Sequence, residues 1–94
     1  MHISVIGKRY KVVVLPVVTD AEGNLLDGEC DAPTKTGKEI RICGNLIGRD
    51  LLETICHEYL HGACWWLSEE FVTEAAKDLA AMLWRIGYRE PADW

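Results

Sequence analysis

His57-Glu58-Tyr59-Leu60-His61 carries the densest chemistry in the chain, which has only three histidines. On a helix, residues four apart lie one turn apart on the same face, so both imidazoles can reach one metal ion. Glu58 is rotated about 100° from His57, beside such an ion and not on it. A carboxylate there can take a proton from an attacking water and return it to a leaving amine. Zinc suits two imidazoles plus a carboxylate, with a fourth position left open.

A third ligand has to come from elsewhere. The pattern predicts a second helix after a turn around Leu67, and antiparallel neighbours pair residues equidistant from the turn. That arithmetic sets Glu74 level with His61, and Asp78, one turn on, where it can accept a hydrogen bond from a ligand imidazole. Glu70, level with Cys64, is the alternative carboxylate. Cys64 shares the face of the two histidines. With Cys30 or Cys43 it offers a different, closed Cys₂His₂ site, structural and without open water.

The elements that must position these groups are legible in outline. Ile3–Ile6 and Tyr10–Leu15 are β-branched runs around Gly7-Lys8, which predicts a hairpin. Thr19–Asp27 holds the turn formers Asp20, Gly23, Asn24 and Asp27 and reads as a loop or wide hairpin turn. Short strands near Gly28–Asp31 and at Glu39–Cys43 flank a turn from Pro33 to Gly37. The period then changes. Asp50 is the expected cap of a helix running to about Trp66, with Leu51, Leu52, Ile55, Tyr59, Gly62, Ala63 and Trp66 on its apolar face. Ser68 caps a second helix that Gly87 ends, with a stripe of Phe71, Val72, Ala75, Leu79, Met82, Leu83 and Ile86. The expected fold class is α+β: a small, mainly antiparallel N-terminal sheet of about four strands, then two helices.

Length and composition bound the rest. The 94 residues, 49% of them hydrophobic and 27% charged, suffice for a single domain over 1–94 with one modest core. A mean hydropathy of −0.02 excludes a disordered tail. A net charge of −5 disfavours a nucleic-acid partner, which asks for the opposite sign. No stretch approaches ~18 consecutive apolar residues, so no membrane span is expected. The N-terminal segment lacks the signal-peptide pattern, and a cytoplasmic address follows as the expectation. The four cysteines are then expected as free thiols. Cys56 and Cys64 within one helix would stand about 12 Å apart and cannot bridge each other.

His-Glu-x-x-His followed by Glu74-Ala-Ala-Lys-Asp78 resembles the gluzincin branch of the zincin metallopeptidases. The entry Thr54-x-x-His57-Glu58 and the ending Leu83-Trp84-Arg85-Ile86-Gly87-Tyr88-Arg89 are similar to very small zincin-like proteins carried by phages and mobile elements. The likeness spans about residues 28–89, and its specific part is 54–78. It implies a minimal zincin-like architecture and one Zn²⁺ held by His57, His61 and Glu74, with Glu58 as the general base. It also implies hydrolysis of a peptide or protein substrate, in the host cytoplasm if the chain is phage-encoded. The second helix follows sooner than in larger members, and no second subdomain can build a deep specificity pocket, so a protein partner is the expected source of selectivity. Tyr88 and Arg89 are the candidates for stabilising an oxyanion. A zinc-binding regulatory or structural module without turnover is the alternative, and a metal-free interaction domain the third reading.

Overall fold

A computed structural model describes residues 1–91. Its elements in chain order are strands β1 (His2–Val5), β2 (Lys8–Leu15), β3 (Val18–Thr19), β4 (Leu25–Leu26), β5 (Gly28–Cys30) and β6 (Glu39–Cys43), then helices α1 (Gly48–Ala63) and α2 (Glu69–Ile86). The α+β class and the order of sheet then helices are as the sequence implies. Residues 92–94 of the expected single domain lie outside the described residues.

Four strands form one sheet in the order β1-β2-β6-β5. β1 and β2 are the expected antiparallel hairpin, with Ile3 opposite Tyr10. β5 and β6 are antiparallel, with Glu29 opposite Arg41. β2 and β6 run parallel, with Val12 beside Ile40 and Val14 beside Ile42. A parallel pair needs a long crossover, and the chain from Pro16 to Lys38 supplies it. Within that crossover, β3 and β4 form a separate two-stranded hairpin. The Asp20 carboxylate closes its turn by accepting from the backbone N–H of Glu22 and Asn24, both at 2.9 Å.

Strand periodicity divides the sheet into two chemically different faces. Tyr10, Ile40 and Ile42 point inward and join Val5, Cys30 and Leu51 of α1 in the core. Full burial of each large side chain contributes about 1.5–3 kcal/mol. On the opposite face Arg41 binds three carboxylates: Glu29 at 2.9 Å, Asp31 at 2.7 Å and Glu39 at 3.1 Å. The Asp31 carboxyl is buried and also accepts from the Glu39 N–H. Hydrogen bonds from Arg41 hold its pKa down at about 2. Tyr10 joins this network from the core side, donating its hydroxyl proton to the Asp31 carbonyl at 3.0 Å.

α1 starts two residues before Asp50 and stops at Ala63, earlier than the expected Trp66. Ile47 is its N-cap, without a side-chain cap, and Asp50 sits in the first turn, where a carboxylate favours the positive end of the helix dipole. The buried side of α1 overlaps the expected face and is shifted from it. Leu51 and Gly62 of that face are buried, and Ile55 and Ala63 pack against the core, but Thr54 and Glu58 are buried too, whereas Tyr59 is exposed and Trp66, beyond the helix, is 80% exposed. Two glycines explain the polar line. A Cβ on Gly62 would meet Cys30 Sγ at 3.3 Å, Val5 at 3.4 Å and Tyr10 at 3.5 Å, and one on Gly28 of β5 would meet Thr54, Glu58 and the Arg41 carbonyl at 2.9–3.0 Å. Without side chains at these two positions, α1 lies directly on the sheet.

α2 begins and ends where the sequence places it. Ser68 accepts from the Phe71 N–H at 3.1 Å, and Gly87, at φ 118°, ends the helix in the left-handed conformation. Its buried line is Val72, Ala76 and Ala80, small residues four apart that permit close packing on α1. Phe71, Met82 and Ile86 of the expected stripe are more than half exposed, because one neighbouring helix covers only a narrow line of α2. No helix among the described residues is long and apolar enough to cross a membrane.

Candidate metal centre

His57 and His61 lie on the last two turns of α1, half-buried, with ring centroids 4.7 Å apart and planes at 67°. Their Nε2 atoms are 3.0 Å apart. The carboxylate that meets them belongs to Glu69: Oε1 is 3.0 Å from His57 Nε2, and Oε2 is 2.8 Å from His61 Nε2. Among the described residues these three form the one group of His, Cys, Asp or Glu side chains whose ligand atoms all lie within 4.8 Å of one another. Trp65 stands at the rim, its ring 6.4 Å from that of His61.

The placement of Glu69 corrects the sequence expectation for the third carboxylate. Glu74 and Glu70 are exposed on α2 and outside the cluster, as is Asp78, the expected hydrogen-bond acceptor for a histidine. The level-by-level pairing treated α1 as reaching Trp66, but α1 stops at Ala63, and five residues separate the helices. Helical side chains lean toward the N-terminus, so the first residue of α2 sends its carboxylate back across this short connection onto the end of α1. The Ser68 cap was the available signal, since it marks the first turn of α2 as the segment nearest His61.

The cysteine alternative does not assemble. Cys64 is the C-cap of α1 and outside the cluster. Cys30 is in the core beneath Gly62, and Cys43 lies on the strand beside the Pro16 carbonyl. All four thiols are free. Burial is the main cause that pushes the Cys30 thiol up to about 12, the wrong direction for a thiolate ligand. Arg89 is held on the Trp84 ring at 3.6 Å and donates to the Trp84 and Tyr88 carbonyls, and neither it nor Tyr88 lines the cavity beside His57.

Glu58 faces the sheet side of α1 and is only 6% exposed. Burial foremost, then the carboxylates of Glu69 and Glu29, pushes its pKa up to about 7. That is the range in which a carboxylate exchanges protons near neutral pH. Glu58 and His57 open onto a cavity of about 260 Å³, walled by Leu26, Asp27, Gly28, Glu53, Thr54 and, from α2, Thr73.

β5 borders this cavity and is an edge strand. The Asp27 carbonyl and Asp31 N–H bond to β6, as does Glu29 through its register with Arg41. By antiparallel alternation, the backbone groups of Gly28 and Cys30 therefore turn away from β6 toward the open edge.

The donor set fits zinc. Tetrahedral ligands 2.0–2.1 Å from zinc stand about 3.3 Å from one another. The Nε2–Nε2 separation of 3.0 Å and the carboxylate contacts of 2.8–3.0 Å are within a few tenths of an ångström of that spacing.

No protein-family model, curated protein or solved structure matches this chain.

Proposed function

We propose that the protein is a zinc-dependent peptide hydrolase, with His57, His61 and Glu69 as the zinc ligands and Glu58 as the general base. The observation that carries this reading is the convergence of two helical imidazoles and one carboxylate, with a second, buried carboxylate beside them. When bound, zinc supplies Lewis-acid polarisation and acidifies water at the site. Glu58 accepts a proton from the attacking water and delivers it to the leaving amine nitrogen. His57 and His61 are fixed by one helix, so their spacing needs no rearrangement to hold the ion. An extended substrate adds along β5, whose free backbone groups at Gly28 and Cys30 direct it past Glu58.

Two variants test the assignment. Glu58→Gln keeps the zinc stoichiometry of the parent and loses cleavage of a casein or peptide-library substrate by 10²-fold or more, in line with the usual worth of a general base. Glu69→Gln weakens zinc affinity at least tenfold in a chelator competition, whereas Glu74→Gln leaves it unchanged. Full cleavage by Glu58→Gln overturns the mechanism, and loss of zinc from Glu74→Gln with retention in Glu69→Gln overturns the ligand set.

A further inference from the structure

We infer that the β1 edge of the sheet docks an extended segment of a partner protein in which apolar and acidic residues alternate. β1 and β5 are the two outer strands of the order β1-β2-β6-β5, so this edge lies away from the candidate metal centre and the inference does not rest on the hydrolase reading. Three features converge on it. The first is a row of free backbone groups. The Met1 carbonyl accepts from the Val12 N–H at 2.7 Å, and Ile3 lies opposite Tyr10. By antiparallel alternation the N–H and C=O groups of His2 and Ser4 point away from β2, to the open edge. β1 carries no proline and no inward-pointing charge, the devices that commonly close an exposed edge.

The second feature is an apolar cavity of about 290 Å³ on the helix side of the same strand, between Ile3 and Val12 of the sheet, Ile55 and Tyr59 of α1 and Leu79 of α2. α1 packs mainly over β5, which leaves Ile3 and Val12 half-buried, and exposed Met1 and Tyr59 border the cavity. The third lies on the other face at the same end of the sheet. A recess of about 350 Å³ is lined by His2, Arg9, Lys11 and Lys38. Glu39 also borders it, but Arg41 holds that carboxylate at 3.1 Å. The ion pairs among the described residues engage Lys35 and Arg41 and neither Arg9 nor Lys11. In a chain of net charge −5 this is a local excess of positive charge.

The occupant follows from strand geometry. Side chains point to the two faces by turns, so a segment paired with β1 sends every second residue over the apolar cavity and the others over the basic face. Ser4, opposite Arg9, is small, and the long Arg9 and Lys11 side chains lean across β1 toward carboxylates on that segment. A second copy of the chain would instead bring its own Arg9 and Lys11 to this edge, where like charges oppose pairing.

The test is a titration of the full chain at low ionic strength with acetyl-Glu-Leu-Glu-Val-Glu-Leu-amide and, separately, with the same peptide carrying lysine for each glutamate. Amide shifts at Ile3, Ser4, Val12 and Tyr59 follow binding, and hydrogen exchange at the Ser4 N–H reports the added strand. The acidic peptide is expected to bind about tenfold more tightly than the basic one and to slow Ser4 exchange, and Arg9→Glu/Lys11→Glu reverses the order of the two peptides. Ser4→Pro removes an N–H that makes no bond within the sheet, so it keeps the fold and weakens binding at least tenfold. Equal affinity for the two peptides, or an order unchanged in Arg9→Glu/Lys11→Glu, overturns the inference. Shifts confined to Gly28 and Cys30 of β5 overturn it too. Concentration-dependent dimerisation that protects the Ser4 N–H without peptide gives the edge to a second copy and overturns it as well.

Discussion

Gly28→Ala is the substitution that most directly probes how the site is held. A methyl group there would stand 2.9 Å from Thr54 Cγ2, 3.0 Å from Glu58 Cγ and 3.0 Å from the Arg41 carbonyl oxygen. Comfortable carbon–carbon contacts are about 3.5–4.0 Å, so Thr54 and Glu58 must yield by about half an ångström and the Arg41 carbonyl by a few tenths. Overpacking of this kind costs about 1–3 kcal/mol. The upper half of that range applies, because Arg41 is held in the β5–β6 ladder and Thr54 and Glu58 are on the buried line of α1. A loss of about 2–3 kcal/mol lowers Tm by roughly 10–20 °C in a domain of this size. Thr54→Ser removes the Cγ2 methyl and with it the shortest contact. The double variant should therefore recover about 1 kcal/mol relative to the sum of the singles, a coupling that a double-mutant cycle resolves. Urea unfolding of the four proteins gives the stability terms, and zinc affinity with turnover on the same samples gives the functional ones. The His57–His61 spacing is internal to α1, so under the proposed hydrolase function zinc affinity should fall less than turnover, which that function makes dependent on where Glu58 sits relative to β5. A Gly28→Ala protein within 0.5 kcal/mol of the parent, or a cycle without coupling, refutes the claim that this glycine sets the distance between helix and sheet.

Two further stability predictions test the remaining scaffold. The Asp31 carboxyl titrates at about 2 in the folded protein against 3.8 when unperturbed, so the folded state favours its ionised form. Its contribution, about 2.5 kcal/mol at most by linkage, is complete above about pH 5 and is lost as the pH falls toward 2. The stability gap between the parent and Asp31→Asn should accordingly shrink over that window in urea melts, and a gap that is constant with pH contradicts the Arg41 ion-pair account. Ser68→Ala removes the hydroxyl that accepts from the Phe71 N–H and should cost about 0.5–2 kcal/mol. Because the same cap fixes the turn that carries Glu69, zinc affinity should weaken in parallel, and a variant that loses stability with zinc affinity intact separates the cap from the ligand.

Some of this was legible in the residues because it is local. The β1–β2 hairpin follows from two β-branched runs with glycine between them, and α2 from a serine cap at one end and a glycine at the other. The pairing of His57 with His61 needs only the helical repeat. What was not legible depends on how separate elements meet. The parallel pairing of β2 with β6 is decided across a long crossover, and no short-range pattern in either strand distinguishes it from an antiparallel one. Glu69 escaped for a similar reason. Equal spacing from a turn locates a partner only if both helices continue up to the turn, and α1 ends three residues before Trp66.

The extent of the buried side of α1 is the more instructive difference. Hydrophobic periodicity selects the side of Leu51, Ile55, Tyr59 and Gly62, and the protein buries Thr54 and Glu58 along with Leu51 and Gly62 while Tyr59 is exposed. A helix that obeyed its own apolar pattern would turn Glu58 toward solvent, where its carboxyl would keep an ordinary pKa. Gly62 on the helix and Gly28 on the sheet make the other orientation possible, since each removes the side chain that would keep the polar line away from β5. Both glycines lie outside the His-Glu-x-x-His pattern, and neither bears a chemical group of its own. Conflict between local pattern and final packing concentrates where function constrains a protein. Here it falls on Glu58, the base of the mechanism proposed above, and under that mechanism the glycine pair is as necessary to the site as the histidines.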